Sequence, residues 1–395
     1  MAETFRVLTL NNIAHVGLKR LPADKYEVGN QVGNPDAILV RSHDMHAMEI
    51  APGVKAIARA GAGTNNIPVG KMSERGIPVF NAPGANANAV KELVIAGMLI
   101  AARNLIPASR FVAGLAGDDP EINRQVEDGK KHYAGSELPN RTLGVIGLGK
   151  IGSLVADAAI KLGMNVLGYD PHITVDAAWG LPSQVRKAHS VEEVLKASEF
   201  VTLHVPFVEA TRNLVSRERI NMMKNAAILL NFSREGIVDN DAVLDGLASK
   251  RLRYYVCDFP AQKLNGHPGV IALPHLGAST REAEDNCAIM VVDELRDYLE
   301  HGNILNAVNF PDAAMAREAP FRVGIANANV PNMLSQISTA MAEAGLNIHN
   351  MLNKSKGEMA YTLVDVDSPV PQEVIARIAA TRGVLIARYL PVEKN

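Results

Sequence analysis

Three glycines, Gly147, Gly149 and Gly152, follow the apolar run TLGVI and open a helical stretch that continues through Ala159. The G-x-G-x-x-G spacing has a physical purpose. The first glycine permits a tight turn, and the second lets the backbone approach a pyrophosphate. The third lets helix and strand pack closely, with the helix N-terminus facing the negative charge. Glycine-rich turns are common, so the setting matters more than the spacing. The next apolar run, Asn165 to Tyr169, ends in Asp170, eighteen residues after Gly152. A carboxylate there accepts hydrogen bonds from the adenosine ribose hydroxyls and repels a 2′-phosphate. Tyr169-Asp170-Pro171-His172 places no arginine beside the acid, which favours NAD over NADP.

Three later segments carry an arginine, an acid and a histidine: NFSREG (Asn231 to Gly236), CDFPAQ (Cys257 to Gln262) and PHLGAS (Pro274 to Ser279). Each follows an apolar run, so a doubly wound sheet would bring them to the carboxyl ends of successive strands. Hydride transfer to a 2-keto acid needs such groups. A guanidinium pins the carboxylate with two parallel hydrogen bonds, and an acid/base near neutral pKa delivers the proton to the oxygen.

The elements that must position these groups read clearly. Up to about residue 80, four short apolar runs (RVLTL, AILVRS, VKAIARAG, IPVFNAP) alternate with polar helical stretches, the pattern of buried parallel strands with helical crossovers. A helix is expected from about Asn88 to Asn104. From Arg141 a second series predicts six strands alternating with helices, a second doubly wound sheet. A helix from about Thr280 to His301 presents Ala283, Cys287, Val291, Leu295 and Tyr298 as its apolar face. NFPDAAMAREAP reads as a linker. The last 75 residues read strand, helix, strand, strand, helix, strand, a small α+β domain.

Composition bounds the rest. The chain has 395 residues, enough for two to three domains. A net charge of −2, with 40 basic against 42 acidic residues, gives no broad footprint for nucleic acid or an anionic membrane. Two cysteines, Cys257 and Cys287, are too few for a disulfide framework and lack metal-ligand spacing. The N-terminus has no signal-peptide pattern. The longest apolar stretch, Leu93 to Ala102, is half of what a membrane span requires. A soluble chain in a reducing cytoplasm is the expectation.

The motifs RAGAGTNNI, NAPGANANAVKELV, GVIGLGKIG, LHVP, NFSREGIVD and PHLGAST, in this order over essentially the whole chain, resemble the D-isomer-specific 2-hydroxyacid dehydrogenases. The resemblance is greatest to the branch that opens serine synthesis by oxidising a phosphorylated hydroxy acid. It implies a flavodoxin-like substrate domain (1–87 and 285–310), a Rossmann NAD domain (88–284) and a C-terminal ACT regulatory domain (320–395). It also implies roles. Arg234 would hold the substrate carboxylate and His275 would be the general acid/base. Lys150 and Ile151 would line the pyrophosphate turn, and Val205 and Pro206 the adenine side. Phe232, Ser233, Asp258, Gly277 and Ala278 would surround the nicotinamide half. His204 belongs to a family motif but reads as structural. Arg41, Ser42 and Asn86 would grip a substrate phosphate, and Gly61, Ala62 and Gly63 would meet the carboxylate. Asn327, Asn329 and Asn347 fall where serine-inhibited relatives place an amino-acid effector. A homodimer or homotetramer is implied as well.

The sequence departs from the family at three positions. Where relatives carry a glutamate that pairs with the histidine, the counterpart is Gln262, which can orient His275 but cannot stabilise imidazolium with a charge. Relatives also tend to have histidine at 327 and glycine at 332, where this chain has asparagine. The alternatives are a dehydrogenase for an unphosphorylated acid such as glycerate or lactate, and a non-catalytic NAD-binding regulator resembling the C-terminal-binding corepressors.

Overall fold

The computed structural model describes residues 4–391, the side chains of Asp176 and Pro391 excepted. The chain forms two compact units. One takes the chain up to Asn86 and resumes at Arg281; the other is Ala87–Thr280.

The first unit holds five parallel strands: β1 (Phe5–Leu10), β2 (Tyr26–Gly29), β3 (Ala37–Val40), β4 (Ala56–Arg59) and β5 (Val79–Phe80). Their order, β2-β1-β3-β4-β5, is that of flavodoxin-like sheets. Every residue of β3 is buried, as expected where helices cover both faces of a parallel sheet. β2 (YEVG) is a fifth strand beyond the four apolar runs. It is an edge strand with only Tyr26 buried, so it carries no continuous apolar run.

The second unit is a seven-stranded parallel sheet: β6 (Thr142–Ile146), β7 (Asn165–Tyr169), β8 (Arg186–Lys187), β9 (Phe200–Leu203), β10 (Ala227–Asn231), β11 (Leu252–Cys257) and β12 (Val270–Ala272). The order β12-β11-β10-β9-β6-β7-β8 reverses between β6 and β9, the switch point where doubly wound sheets open a crevice. The sequence pattern predicts six strands; the seventh, β8, is two exposed basic residues and gives no apolar signal. The helix Ala87–Ala102 buries Val90, Val94, Gly97, Met98 and Ala101, one face at helical spacing. It stops before the expected Asn104, which takes a left-handed φ of 54° and is buried. Its amide donates to the carbonyls of Tyr133 and Ala134, and its Oδ1 accepts from Arg253 and Tyr254.

The C-terminal segment, in the first unit, forms an antiparallel sheet of β13 (Phe321–Ala328), β14 (Ile348–Lys356), β15 (Met359–Val366) and β16 (Val384–Pro391) in the order β14-β15-β13-β16. With helices Met333–Glu343 and Gln372–Ala379 this is the ferredoxin-like βαββαβ arrangement. Strand alternation divides its side chains. Val323, Ile325, Val364 and Val366 pack on the two helices, while Ala326, Tyr361 and Leu363 join the core of the five-stranded sheet.

The segment read as a linker is packed instead: Phe310 and Ala313 are buried, and Ile304 bridges to Ala313. Its backbone carbonyls at Met315 and Ala316 accept from Arg322, which is fully buried and paired with Asp365 at 2.5 Å. Small residues and prolines suggest a tether because they carry little apolar surface; here they allow close approach to a buried guanidinium.

Helix Arg281–His301 shows the expected apolar face and, beyond it, a buried carboxyl. Glu294 Oε1 accepts from Asn306 Nδ2 at 2.6 Å, and Oε2 is buried with no hydrogen-bond partner. Burial, aided by Asp312 and Asp293, pushes its pKa up to about 8. Between about pH 4.5 and 8 the folded chain therefore keeps a proton that the unfolded chain releases, so stability falls as pH rises through that window and levels off above it. Glu294→Gln removes this loss. Its unfolding free energy should match the wild type near pH 4.5 and exceed it by a few kcal/mol at pH 9. Parallel pH dependences in chemical denaturation would show that the carboxyl is not protonated in the fold.

Candidate active site

The glycine turn is held by close contacts. Gly147 has φ of 93°, and a Cβ there would lie 2.4 Å from the His204 carbonyl oxygen. A Cβ on Gly152 would lie 2.0 Å from the Gly147 carbonyl oxygen. Neither position has room for a side chain. Gly149, at the N-cap of helix Lys150–Lys161, is different: a Cβ there meets nothing within 4 Å. The turn thus leaves open space in front of a helix N-terminus, the geometry that a dinucleotide pyrophosphate needs. Lys150 is exposed and Ile151 half-buried at its rim. Asp170, at the end of β7, accepts from the backbone of Leu148 (2.9 Å) and His172 (2.9 Å). A carboxylate has about four acceptor sites, so this one can brace the turn and still receive ribose hydroxyls. The residues present fit NAD.

Register decides what else reaches this edge. Ile146 pairs with Leu203, Leu203 with Asn231, Asn231 with Cys257, and Cys257 with Ala272. Five parallel strands therefore end in one row, and the segments after them emerge side by side. Val205 and Pro206 follow β9, Phe232 to Arg234 follow β10, Asp258 follows β11 and His275 follows β12. Gln262 is exposed at the start of a single helical turn, Gln262–Leu264, and among the described residues no hydrogen bond joins it to His275.

Two buried polar side chains shape these loops. Asn231 Nδ2 donates to the Arg234 carbonyl (3.0 Å), and its Oδ1 accepts from the Ser233 amide (3.1 Å). Ser233 Oγ donates to the Val205 carbonyl, tying the loop after β10 to that after β9. Phe232 is buried against Gly97, whose Cβ would come within 3.1 Å of its ring. Arg234 itself is exposed. Asp258 is 1% exposed, and its two oxygens accept from the amides of Leu276 and Gly277, both at 2.7 Å. Its carbonyl accepts from the His275 amide at 3.1 Å. Gly277 is buried and Ala278 half-buried. His275 is exposed, takes a left-handed φ of 57°, and its ring meets Phe259 edge-on at 5.0 Å. A non-glycine residue at positive φ is uncommon and concentrates at functional positions. His204 Nε2 lies 3.0 Å from Thr202 Oγ1, and burial pushes its pKa down to about 3, which keeps it neutral.

The sequence reading missed Asn231 as a support for the loop. Its one signal was its place at the head of NFSREG, where an amide can satisfy a tight turn.

In the other unit, Arg41 and Ser42 directly follow β3, and the amides of Ser42 and His43 both donate to Asn11 Oδ1. Arg41 Nη2 pairs with Glu284 Oε1 at 2.5 Å. Gly61 to Gly63 follow β4, where the Ala62 carbonyl accepts from Asn81 Nδ2 and the Gly61 carbonyl from the Ala82 amide. Asn86 Oδ1 is buried without a partner. In the C-terminal sheet, Asn329 donates to the Gly357 carbonyl and Asn347 to Asp367. Asn327 is 1% exposed; its Nδ2 donates to the Ala328 carbonyl and its Oδ1 has no partner. Asn332 takes φ of 67°, a conformation that asparagine tolerates in place of glycine.

A seven-stranded Rossmann sheet with this turn, and an arginine and a histidine on the same edge, defines a dinucleotide-dependent oxidoreductase. Residues 95–277 match the family described as D-isomer specific 2-hydroxyacid dehydrogenase, NAD binding domain. The chain is 33% identical over 358 residues to the D-3-phosphoglycerate dehydrogenase of Haemophilus influenzae, covering 87% of this chain and 83% of that one. It is 32% identical over 354 residues to the enzyme of that name from Methanocaldococcus jannaschii, where 87% of this chain spans only 64% of the relative. The NAD+-bound 3-phosphoglycerate dehydrogenase of Entamoeba histolytica shares the fold, with a TM-score of 0.61, 24% identity, and coverage of 77% of this chain and 98% of that one. The chain belongs to the D-isomer specific 2-hydroxyacid dehydrogenase family and is an NAD-dependent dehydrogenase. Among the described residues no helix is long and apolar enough to cross a membrane.

Because a Cβ at 149 would meet no atom within 4 Å, Gly149→Val should fold as the wild type does. It should bind NADH at least tenfold more weakly by fluorescence titration, since it fills the space for the pyrophosphate. Undiminished affinity would place the pyrophosphate elsewhere.

Proposed function

We propose that the chain oxidises D-3-phosphoglycerate to 3-phosphohydroxypyruvate, the first step of serine synthesis, and catalyses the reverse reduction. The observation that supports the reading is the shared strand-end row, which puts the Arg234 loop and the segment leading to His275 on the same edge of the sheet as the glycine turn. The names of the relatives support the substrate. NAD, when bound, supplies the hydride acceptor. Arg234 holds the substrate carboxylate with paired hydrogen bonds and, in the keto acid, polarises the carbonyl. The proton on the substrate 2-oxygen passes to the His275 imidazole. Arg41, Ser42 and Asn86 receive the phosphate, and the turn Gly61 to Gly63 offers the amides of Ala62 and Gly63 to the carboxylate, the Gly61 amide already donating to the Arg59 carbonyl.

The domains divide accordingly: 1–87 with 285–310 grips substrate, 88–284 holds NAD, and 320–395 is an ACT-type regulatory module. Asn327, whose Oδ1 lacks a partner, is its best candidate to hold an amino-acid effector such as serine; Asn329 and Asn347 already have partners within the chain. The working form is a cytoplasmic homodimer or homotetramer. The exposed Leu99, Leu105 and Val112 on helices Ala87–Ala102 and Leu105–Ala113 offer apolar surface for a second copy.

Two measurements test this reading. NADH should be consumed with 3-phosphohydroxypyruvate, and Arg41→Ala should raise KM for it by tenfold or more while changing KM for hydroxypyruvate far less. Equal effects would remove the phosphate grip. Gln262→Glu places a carboxylate where relatives have one. If that carboxylate reaches His275 it stabilises imidazolium, so the activity of the oxidation should rise at a higher pH than in the wild type. An unmoved pH profile would show that position 262 does not act on the histidine.

A further inference from the structure

Arg41 is not free to meet an anion. Its guanidinium is paired at 2.5 Å with Glu284, which lies in the first turn of helix Arg281–His301, and each side chain is more than a third exposed. Other charges lie close to this pair. Arg59 and Arg41, and Glu284 with the opposite sign, all act electrostatically on the thiol of Cys287, one turn beyond Glu284. A phosphate that reaches Arg41 must displace a carboxylate from it and then sit close to that carboxylate.

We propose that Glu284 is a positioning residue that competes with the substrate phosphate for Arg41, and so sets how strongly the chain prefers a phosphorylated over an unphosphorylated 2-hydroxy acid. This rests on the reading of Arg41 as the phosphate grip. In the free protein Glu284 holds the guanidinium at the mouth of β3. When the phosphate binds, Arg41 exchanges one oxyanion for another. Because one ion pair is broken as the other forms, Glu284 weakens binding of the phosphate and speeds its release, while a neutral group at the same place in the substrate feels little of this. The competition is between partly exposed charges, so it is screened by salt.

A carboxylate in the first turn of a helix also complements the helix dipole. That role alone would change the melting temperature when Glu284 is neutralised, but not the choice between two substrates. The discriminating experiment is therefore a comparison of substrates. Wild type, Glu284→Gln and Arg41→Ala are assayed by NADH turnover with 3-phosphohydroxypyruvate and with hydroxypyruvate, at low and at high ionic strength. Glu284→Gln should raise the ratio of kcat/KM for the phosphorylated over the unphosphorylated acid about three- to tenfold, through KM rather than kcat, and the gain should shrink at high salt. An unchanged ratio in Glu284→Gln, with Arg41→Ala still lowering it, overturns the role of Glu284 and leaves the phosphate grip standing. A ratio that Arg41→Ala does not lower overturns both.

Discussion

The constraint on which the site depends is that five parallel strands of one sheet end in register. The row Ile146, Leu203, Asn231, Cys257 and Ala272 crosses four strand spacings of about 4.8 Å each. The loop leaving each strand must therefore emerge beside the loop leaving its neighbour. That fixes Gly147 beside His204, the Arg234 loop beside Asp258, and Asp258 beside the segment leading to His275. The sheet can hold this register because both faces are covered and its central strands are buried along their whole length. The loops can then leave it sharply because buried polar groups satisfy their backbone. Asn231 does this for residues 233 and 234, and Asp258 for 276 and 277. Neither side chain is placed to make chemistry its main work; each closes a turn that would otherwise leave amides or carbonyls unpaired.

The C-terminal module obeys a different rule. A small ferredoxin-like sheet could stand on a flexible tether, but this one shares an apolar core with the five-stranded sheet and is fastened by Arg322. That guanidinium bonds Asp365 and the backbone of His301, Met315 and Ala316. A buried ion pair gives little net stability by itself, because desolvation opposes the attraction. Removing one partner is costly, since it strands the other charge. Arg322 therefore specifies how the segment 301–322 folds more than it strengthens the fold. Arg388 adds to the fastening through the carbonyls of Tyr298 and Leu299 and the Tyr298 ring, 4.6 Å away. Through these contacts the module bears directly on helix Arg281–His301, and the same helix carries Glu284 near its start.

The sequence made legible what depends on local spacing. The glycine turn, the acid at the end of β7 and the three loops after β10, β11 and β12 could be read because turn chemistry and buried strands leave residue-level signatures. β2 and β8 were not legible, since an edge strand of four residues and a strand of two exposed residues need no apolar pattern. The packed state of 309–320 was hidden for another reason: its partner, Arg322, is a charged residue whose burial depends on Asp365, forty-three positions away. Glu294 was hidden in the same way, by a long-range packing that puts a carboxylate on an otherwise apolar face. The pairing of Arg41 with Glu284 spans 243 positions and has no local mark.

Gln262 is the residue where sequence and structure together narrow the chemistry. In serine proteases, replacing the carboxylate that orients the histidine by its amide costs about four orders of magnitude, because the imidazole then adopts the wrong tautomer. The same loss need not occur here. His275 is placed from behind: its amide bonds the Asp258 carbonyl, its backbone is held at positive φ, and its ring meets Phe259 edge-on. These contacts come from groups that do not titrate, and none involves position 262. On the proposed role of His275, glutamine for glutamate therefore takes away a charge that would favour imidazolium, but not the placement of the ring. The cost falls on the pH at which the base works and on which ring nitrogen carries the proton, rather than on whether the ring is aimed.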